Sequence, residues 1–147
     1  MPDEVTVAQA AIFGPFLAMA VLTLAVWVLL YVRRIRYMVS EGIAPQKLAT
    51  PEKLIATLPD SVNSPANNFK NLFELPVLFY AMALYLYVTA SVDFIYVTAA
   101  WIFVVFRALH SLVHCTTNHV MTRFRLYVLA ALALWFIVAR AVIQLVV

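Results

Sequence analysis

Residues 5–32, VTVAQAAIFGPFLAMAVLTLAVWVLLYV, run for 28 positions without an Asp, Glu, Lys or Arg. The hydrocarbon core of a bilayer, about 30 Å thick, is crossed by about 20 helical residues, so this stretch is long enough to span it. In lipid a backbone must satisfy its own hydrogen bonds, and a helix is the single-segment way to do so. Gly14-Pro15 near the start predicts a mild kink, tolerable because neighbouring helices and side chains can re-satisfy the freed carbonyl. The preceding Met1-Pro-Asp-Glu lacks a basic n-region, and the apolar run exceeds a signal h-region. The segment is therefore expected to be retained as a first span, over about residues 8–32.

The rest of the chain asks for the same solvent. Of 147 residues 65% are hydrophobic and 12% charged, far from the balance of a soluble domain. Mean hydropathy is +0.94. Three more apolar stretches predict spans at about 72–90, 94–117 and 126–147, giving an all-α, integral membrane four-helix bundle that forms one domain over 1–147. Arg33, Arg34 and Arg36 predict the end of the first helix. Residues 33–68, with Pro45, Pro51, Pro59 and Pro65, read as a polar loop longer than the usual helix connection. Asn67 or Asn68 is a candidate cap for a second helix that begins in that loop. Ser91 to Asp93 is a short turn, making the second and third helices an antiparallel hairpin.

Lys and Arg collect in the first and third connections, whereas Asp3, Glu4 and Asp93 mark the N-terminus and the second connection. The positive-inside rule then puts the first and third connections in the cytoplasm and both termini outside. The net charge of +3 is explained by those tracts, so a nucleic-acid partner is not expected. Cys115, the single cysteine, excludes an intrachain disulfide and a zinc-type cysteine pair. Brevity and the lack of an evident retrieval signal suggest a bacterial inner membrane, with the endoplasmic reticulum as the alternative.

Polar residues inside the spans are the functional candidates, because a charge at the bilayer centre costs about 2.5–3.5 kcal/mol on insertion scales. They are Glu74, Arg107, His110, His114 and Arg140. At 100° per residue Arg107, His110, His114 and Asn118 fall at about 0°, 300°, 340° and 20°, one polar stripe. Asn67, Asn71 and Glu74 share a second face by their i, i+4, i+7 spacing. The hairpin brings the two stripes to the same end of the bundle. A Glu74–Arg107 ion pair that neutralises both residues and a ligand site built from them are both open at this level. Arg140, at the other end of the fourth helix, reads as a structural residue able to snorkel outward. His110 and His114 have the i, i+4 spacing of two metal ligands, with Glu74 as a conceivable third. No Glu-x-x-His pair or second acidic residue accompanies them, so no metal site is expected.

Lys70-Asn71-Leu-Phe-Glu74-Leu-Pro76, together with Arg107-x-x-His110-x-x-x-His114 and Arg123, resembles the MAPEG family, the membrane-associated proteins of eicosanoid and glutathione metabolism. The resemblance covers essentially the whole chain: helix count, polar first loop, short second turn and both motifs. It implies four-helix subunits assembled as homotrimers, with glutathione as cosubstrate in a cleft between neighbouring subunits near the cytoplasmic face. By position it implies Arg33, Lys70, Asn71, Glu74, Arg107, His110 and His114 as glutathione-binding residues, and Arg123 as the residue that stabilises the thiolate. His114 stands where many active members have tyrosine, Lys70 where some have arginine, and Asn67 where several have arginine.

Two functions follow as expectations. One is a glutathione-dependent transferase or peroxidase acting on hydrophobic electrophiles that arrive through the bilayer. The alternative is a noncatalytic protein of the same fold that holds a lipid or a partner helix between subunits. In either case the expected partners are further copies of the chain, membrane lipids and a hydrophobic small molecule or lipid.

Overall fold

The computed structural model describes residues 8–146. Asp3, Glu4 and the first three positions of the charge-free run lie outside the described residues, as does Val147. Among the described residues there is no strand, and four helical stretches are long and apolar enough to cross a membrane: Ala8–Ser40, Asp60–Val88, Phe94–Cys115 and Val120–Val146. The helices are α1 (Phe13–Ser40), α2 (Pro51–Thr57), α3 (Asp60–Asn71), α4 (Leu75–Val88), α5 (Phe94–Cys115) and α6 (Val120–Val146). A 3-10 turn, Pro45–Leu48, precedes α2.

In the first half of the chain proline and glycine, rather than charge, set most helix boundaries. Pro15 has no N–H to give the Ala11 carbonyl, and Gly14 N–H donates to it instead at 3.2 Å, leaving a turn at Ala11–Ile12 where the kink was expected. A Cβ on Gly14 would lie 3.3 Å from the Trp101 ring, so the glycine also allows close approach of α1 to α5. The arginines do not end α1. Arginine is a good helix former, and the helix continues past Arg36 until Gly42 enters the left-handed region at φ +61°. Gly42 N–H then donates to Val39 O and Ile43 N–H to Met38 O, a Schellman cap.

The expected loop over 33–68 is therefore largely helical: α1 fills its start, α2 its middle and α3 its end. Thr50 caps α2 by accepting from Lys53 N–H, and Pro51 occupies the first position, where a missing N–H costs nothing. Asn67 and Asn68 are inside α3 rather than at its start, which Pro59 precedes. The second span is broken at residues 72–74. The third and fourth helices are shifted from the expected bounds, ending at Cys115 and starting at Val120.

α5 packs most extensively on α6, and α1 on α3 and then α5. The core runs through Met19, Phe79, Tyr96, Ala100, Phe103, Ala130 and Leu134. Phe79 and Phe103 stack at 4.6 Å. Leu17, Leu24, Phe94, Leu112, Phe136 and Leu145 point outward, a surface that water would not tolerate and lipid or a neighbouring subunit would cover.

The end of the bundle at the second connection is tied by polar side chains. Gln9 exchanges two hydrogen bonds with the backbone of Val92, one to O at 3.2 Å and one from N–H at 3.0 Å. Asp93 caps α5 through Tyr96 N–H and accepts both terminal nitrogens of Arg140, one at 2.8 Å. Arg140 thus turns inward to a carboxylate and over the Tyr96 ring, 4.1 Å from its centroid, instead of snorkelling outward. A guanidinium gains two parallel charge-assisted hydrogen bonds from a carboxylate at this geometry.

Candidate functional site

Pro76 is the second residue of α4, and its missing N–H breaks the second span at the turn where Glu74 takes φ −100°, ψ −106°. The broken ladder leaves the Asn71 carbonyl to another donor, and Arg107 Nη2 from α5 supplies it at 2.6 Å. Arg107 has no solvent exposure, yet its Nε and Nη1 have no partner. Its guanidinium stands 5.8 Å from the Tyr127 ring centroid. The Glu74–Arg107 ion pair, one of the two readings left open by the sequence, is not formed: among the described residues the salt bridge is Asp93–Arg140, and Glu74 is exposed. A backbone carbonyl freed by the helix break lies within reach of the guanidinium, and the carboxylate does not.

One and two turns further along α5, His110 and His114 are also buried, each with 4% exposure. Their rings meet edge to face at 5.6 Å. His110 Nδ1 is 3.0 Å from the Arg123 carbonyl, while His110 Nε2 and His114 Nδ1 have no partner. Arg123, in the first turn of α6, is itself held by a hydrogen bond from Nη1 to Asn118 Oδ1. Asn118 sits in the left-handed region at φ +51°, which asparagine tolerates better than most residues, so the connection and the arginine's orientation are fixed together.

The expected residues thus divide. Arg107, His110, His114 and Arg123 converge between α5 and α6, with the backbone of Asn71 beside them. Arg33 and Lys70 do not join them within one subunit. Arg33 donates from Nη1 to Ser61 O at 3.0 Å and borders a groove with Arg36, Tyr37 and Cys115. Lys70 is exposed and borders a different groove with Arg34 and Asn67, against α2.

Two residues of this region were not anticipated. Tyr127 lies between Arg107 and His110, its ring 6.1 Å from the latter. Its only sequence signal is the i, i+4 spacing from Arg123. Asn68, fully buried, joins α3 to α5 by accepting from Ser111 Oγ at 3.4 Å and donating to Cys115 Sγ at 3.6 Å. Cys115 is a buried packing residue. Among the described residues no trio of His, Cys, Asp or Glu gathers as a metal site.

Chemically, the α5–α6 site presents two open guanidinium nitrogens and two open imidazole nitrogens, all desolvated. Buried polar atoms are nearly always paired, because an unpaired one costs about 1–3 kcal/mol. Four such atoms lie together in this cluster, donors on Arg107 and ring nitrogens on His110 and His114.

Comparison with curated proteins and with solved structures finds no match. The family model of the MAPEG family matches residues 12–143, nearly the whole chain and every residue of the site. Together with the four apolar helices, that match settles membership: the chain belongs to the MAPEG family and is an integral, multi-pass membrane protein.

Proposed function

We propose that the protein is a glutathione-dependent transferase or peroxidase acting on hydrophobic electrophiles. The observation that carries this reading is Arg107, buried without exposure and with two nitrogens unpartnered, 5.8 Å from the Tyr127 ring centroid and on the same stripe of α5 as the buried His110 and His114. Glutathione has two carboxylates, an ammonium and a thiol. A guanidinium with free N–H groups suits a carboxylate, the exposed Glu74 suits the ammonium, and the backbone of Asn71 lies beside the guanidinium. Arg123, oriented by Asn118, is the cation for the thiolate. A neighbouring positive charge lowers a thiol pKa from about 8.5 and raises the fraction able to attack.

Arg33 lies across α3 from this cluster, and Lys70 faces α2. In a homotrimer each could serve a site completed by the neighbouring subunit, and the exposed apolar faces of the helices supply the surface for that assembly. The first and third connections, which carry the arginine-rich ends, then face the cytoplasm. Electrophiles partition into the lipid around the bundle and reach the site from the membrane.

The test is calorimetric titration of glutathione into the detergent-solubilised protein, with Glu74→Ala, Arg123→Ala as the control. Saturable heat in the wild type, lost in the double variant, supports the reading. A folded wild-type protein that shows no binding at millimolar glutathione refutes it and favours a noncatalytic lipid- or partner-binding member of the family.

A further inference from the structure

We propose that His110, protonated on Nδ1 in its neutral form, is the base that takes the proton from the attacking thiol. The assignment rests on the glutathione reading above. Its starting point is the 3.0 Å contact between His110 Nδ1 and the carbonyl oxygen of Arg123. A carbonyl oxygen only accepts, so the hydrogen of this bond belongs to Nδ1. Neutral imidazole carries one N–H, and Nε2 is therefore the lone-pair nitrogen. That nitrogen is buried and has no partner in the fold.

His114, the other imidazole of the cluster, also has an unpartnered Nδ1, but no hydrogen bond fixes which of its nitrogens carries the proton. Arg107 and Arg123 can only donate. The exposed Glu74 stands at the α3–α4 break, outside the buried cluster. His110 lies one turn from Arg107 on the same stripe and rests on the backbone of Arg123, the residue proposed to hold the thiolate. The ring is surrounded by Arg107 and His114 on α5 and by Arg123 and Tyr127 on α6. Two fixed cations beside the base stabilise the thiolate once it forms, and because they also disfavour an imidazolium between them, the proton passes on from Nε2 instead of resting there.

In the step, the S–H bond breaks, its electron pair stays on sulfur, and an N–H bond forms at Nε2. The thiolate pair then makes the S–C bond to the electrophile while the leaving group departs with its bonding pair. The proton passes from Nε2 to that leaving group or to water, and the lone pair is restored. The carbonyl of Arg123 holds the ring orientation throughout, as the third group of a nucleophile–base–orienter arrangement does.

The substitution that isolates the claim is His110→Asn. The asparagine Nδ2 falls where histidine Nδ1 lies, so the bond to Arg123 O is kept and only the Nε2 lone pair is removed. In the full-length protein with glutathione and an aryl halide electrophile, turnover is expected to fall about 100-fold near neutral pH, the lower end of general-base effects. Calorimetric glutathione affinity should change by less than about threefold, well under the tenfold that 1.4 kcal/mol represents. The acid limb of the pH–rate profile should give way to a continuous rise with pH. Retained binding with an unchanged rate and profile overturns the base assignment alone. Absence of binding in the wild type overturns the glutathione reading and the assignment with it. Nitrogen NMR of histidine-labelled wild-type protein gives a reading that needs no variant: an Nδ1–H signature for His110 supports the assignment, and an Nε2–H signature overturns it.

Discussion

Arg33 Nη1 lies 3.0 Å from the carbonyl oxygen of Ser61, four residues before Pro65, so the guanidinium replaces the helical N–H that proline cannot supply. Arg107 likewise donates to the carbonyl of Asn71, the last residue of α3, five residues before Pro76, where the span is interrupted. Arg33 and Arg107 therefore each bond a carbonyl at a point where the second span departs from regular helical pairing.

This substitution of side chain for backbone is testable by coupling. Arg33→Ala is expected to cost about 1–1.5 kcal/mol in the wild-type background, the usual worth of a hydrogen bond from a charged donor at a partly exposed site. In a Pro65→Ala background the helix supplies its own N–H, and the same change should cost clearly less. Thermal unfolding followed by circular dichroism in detergent measures the cycle. Strictly additive changes would show that Arg33 and Pro65 are not linked through Ser61.

At the opposite end, Arg140 holds the Asp93 carboxyl below the usual carboxylate range through hydrogen bonds, outweighing the opposing effect of burial, and Tyr96 N–H adds to it. A depressed carboxyl contributes stability above its unfolded value of about 3.9, and that contribution disappears as the pH falls through the lower folded value. The unfolding midpoint is therefore expected to drop below about pH 4. Arg140→Gln lowers the midpoint at neutral pH and makes the acid limb shallower, because the carboxyl then loses the largest cause of its depression and keeps only the backbone N–H bonds. Superimposable acid limbs for wild type and variant would exclude the pair as the source.

Ala90 holds φ +53° just after α4, where Ala90 N–H donates to Tyr87 O and Ser91 N–H to Leu86 O. The geometry is that of a Schellman cap, normally given to glycine. The left-handed conformation costs an L-residue about 1–2 kcal/mol, offset in part by the extra chain entropy of glycine. Ala90→Gly should thus raise stability by about 0.5 kcal/mol. A lower unfolding midpoint would show that the turn is held by the Gln9 and Asp93 bonds strongly enough to make the strain irrelevant.

The number and order of membrane-spanning helices were legible because lipid excludes charge, and an uncharged run of sufficient length has few other readings. The stripe Arg107, His110, His114 was legible for the same reason, polar residues at helical spacing in an apolar span. The end of α1 was not, since arginine carries no stop signal and Gly42 does. The partner of Arg107 was not legible either. Charge complementarity pointed to Glu74, but a carbonyl freed near Pro76 depends on where the backbone breaks, which no pairing rule encodes. Beyond its spacing from Arg123, Tyr127 carries no mark in the sequence that sets it apart from the other aromatic residues of the spans, and only the packing of α6 on α5 brings it near Arg107 and His110.

Asn118 separates the orientation of Arg123 from its charge, and so offers the sharpest check on the thiolate role. Its Oδ1 accepts from Arg123 Nη1, and its own backbone is left-handed. Asn118→Gly preserves that backbone at little strain and removes only the side-chain acceptor. A lost bond to a charged donor is worth about 1.5 kcal/mol, so conjugation should fall about tenfold while the fold is kept. Asn118→Ala should show the same catalytic loss with an added drop in unfolding midpoint from the left-handed strain. If the glycine variant conjugates at the wild-type rate with saturating glutathione, the orientation of Arg123 by Asn118 has no part in the reaction. If both variants lose activity in proportion to stability alone, the effect lies in the α5–α6 connection and not at the thiolate.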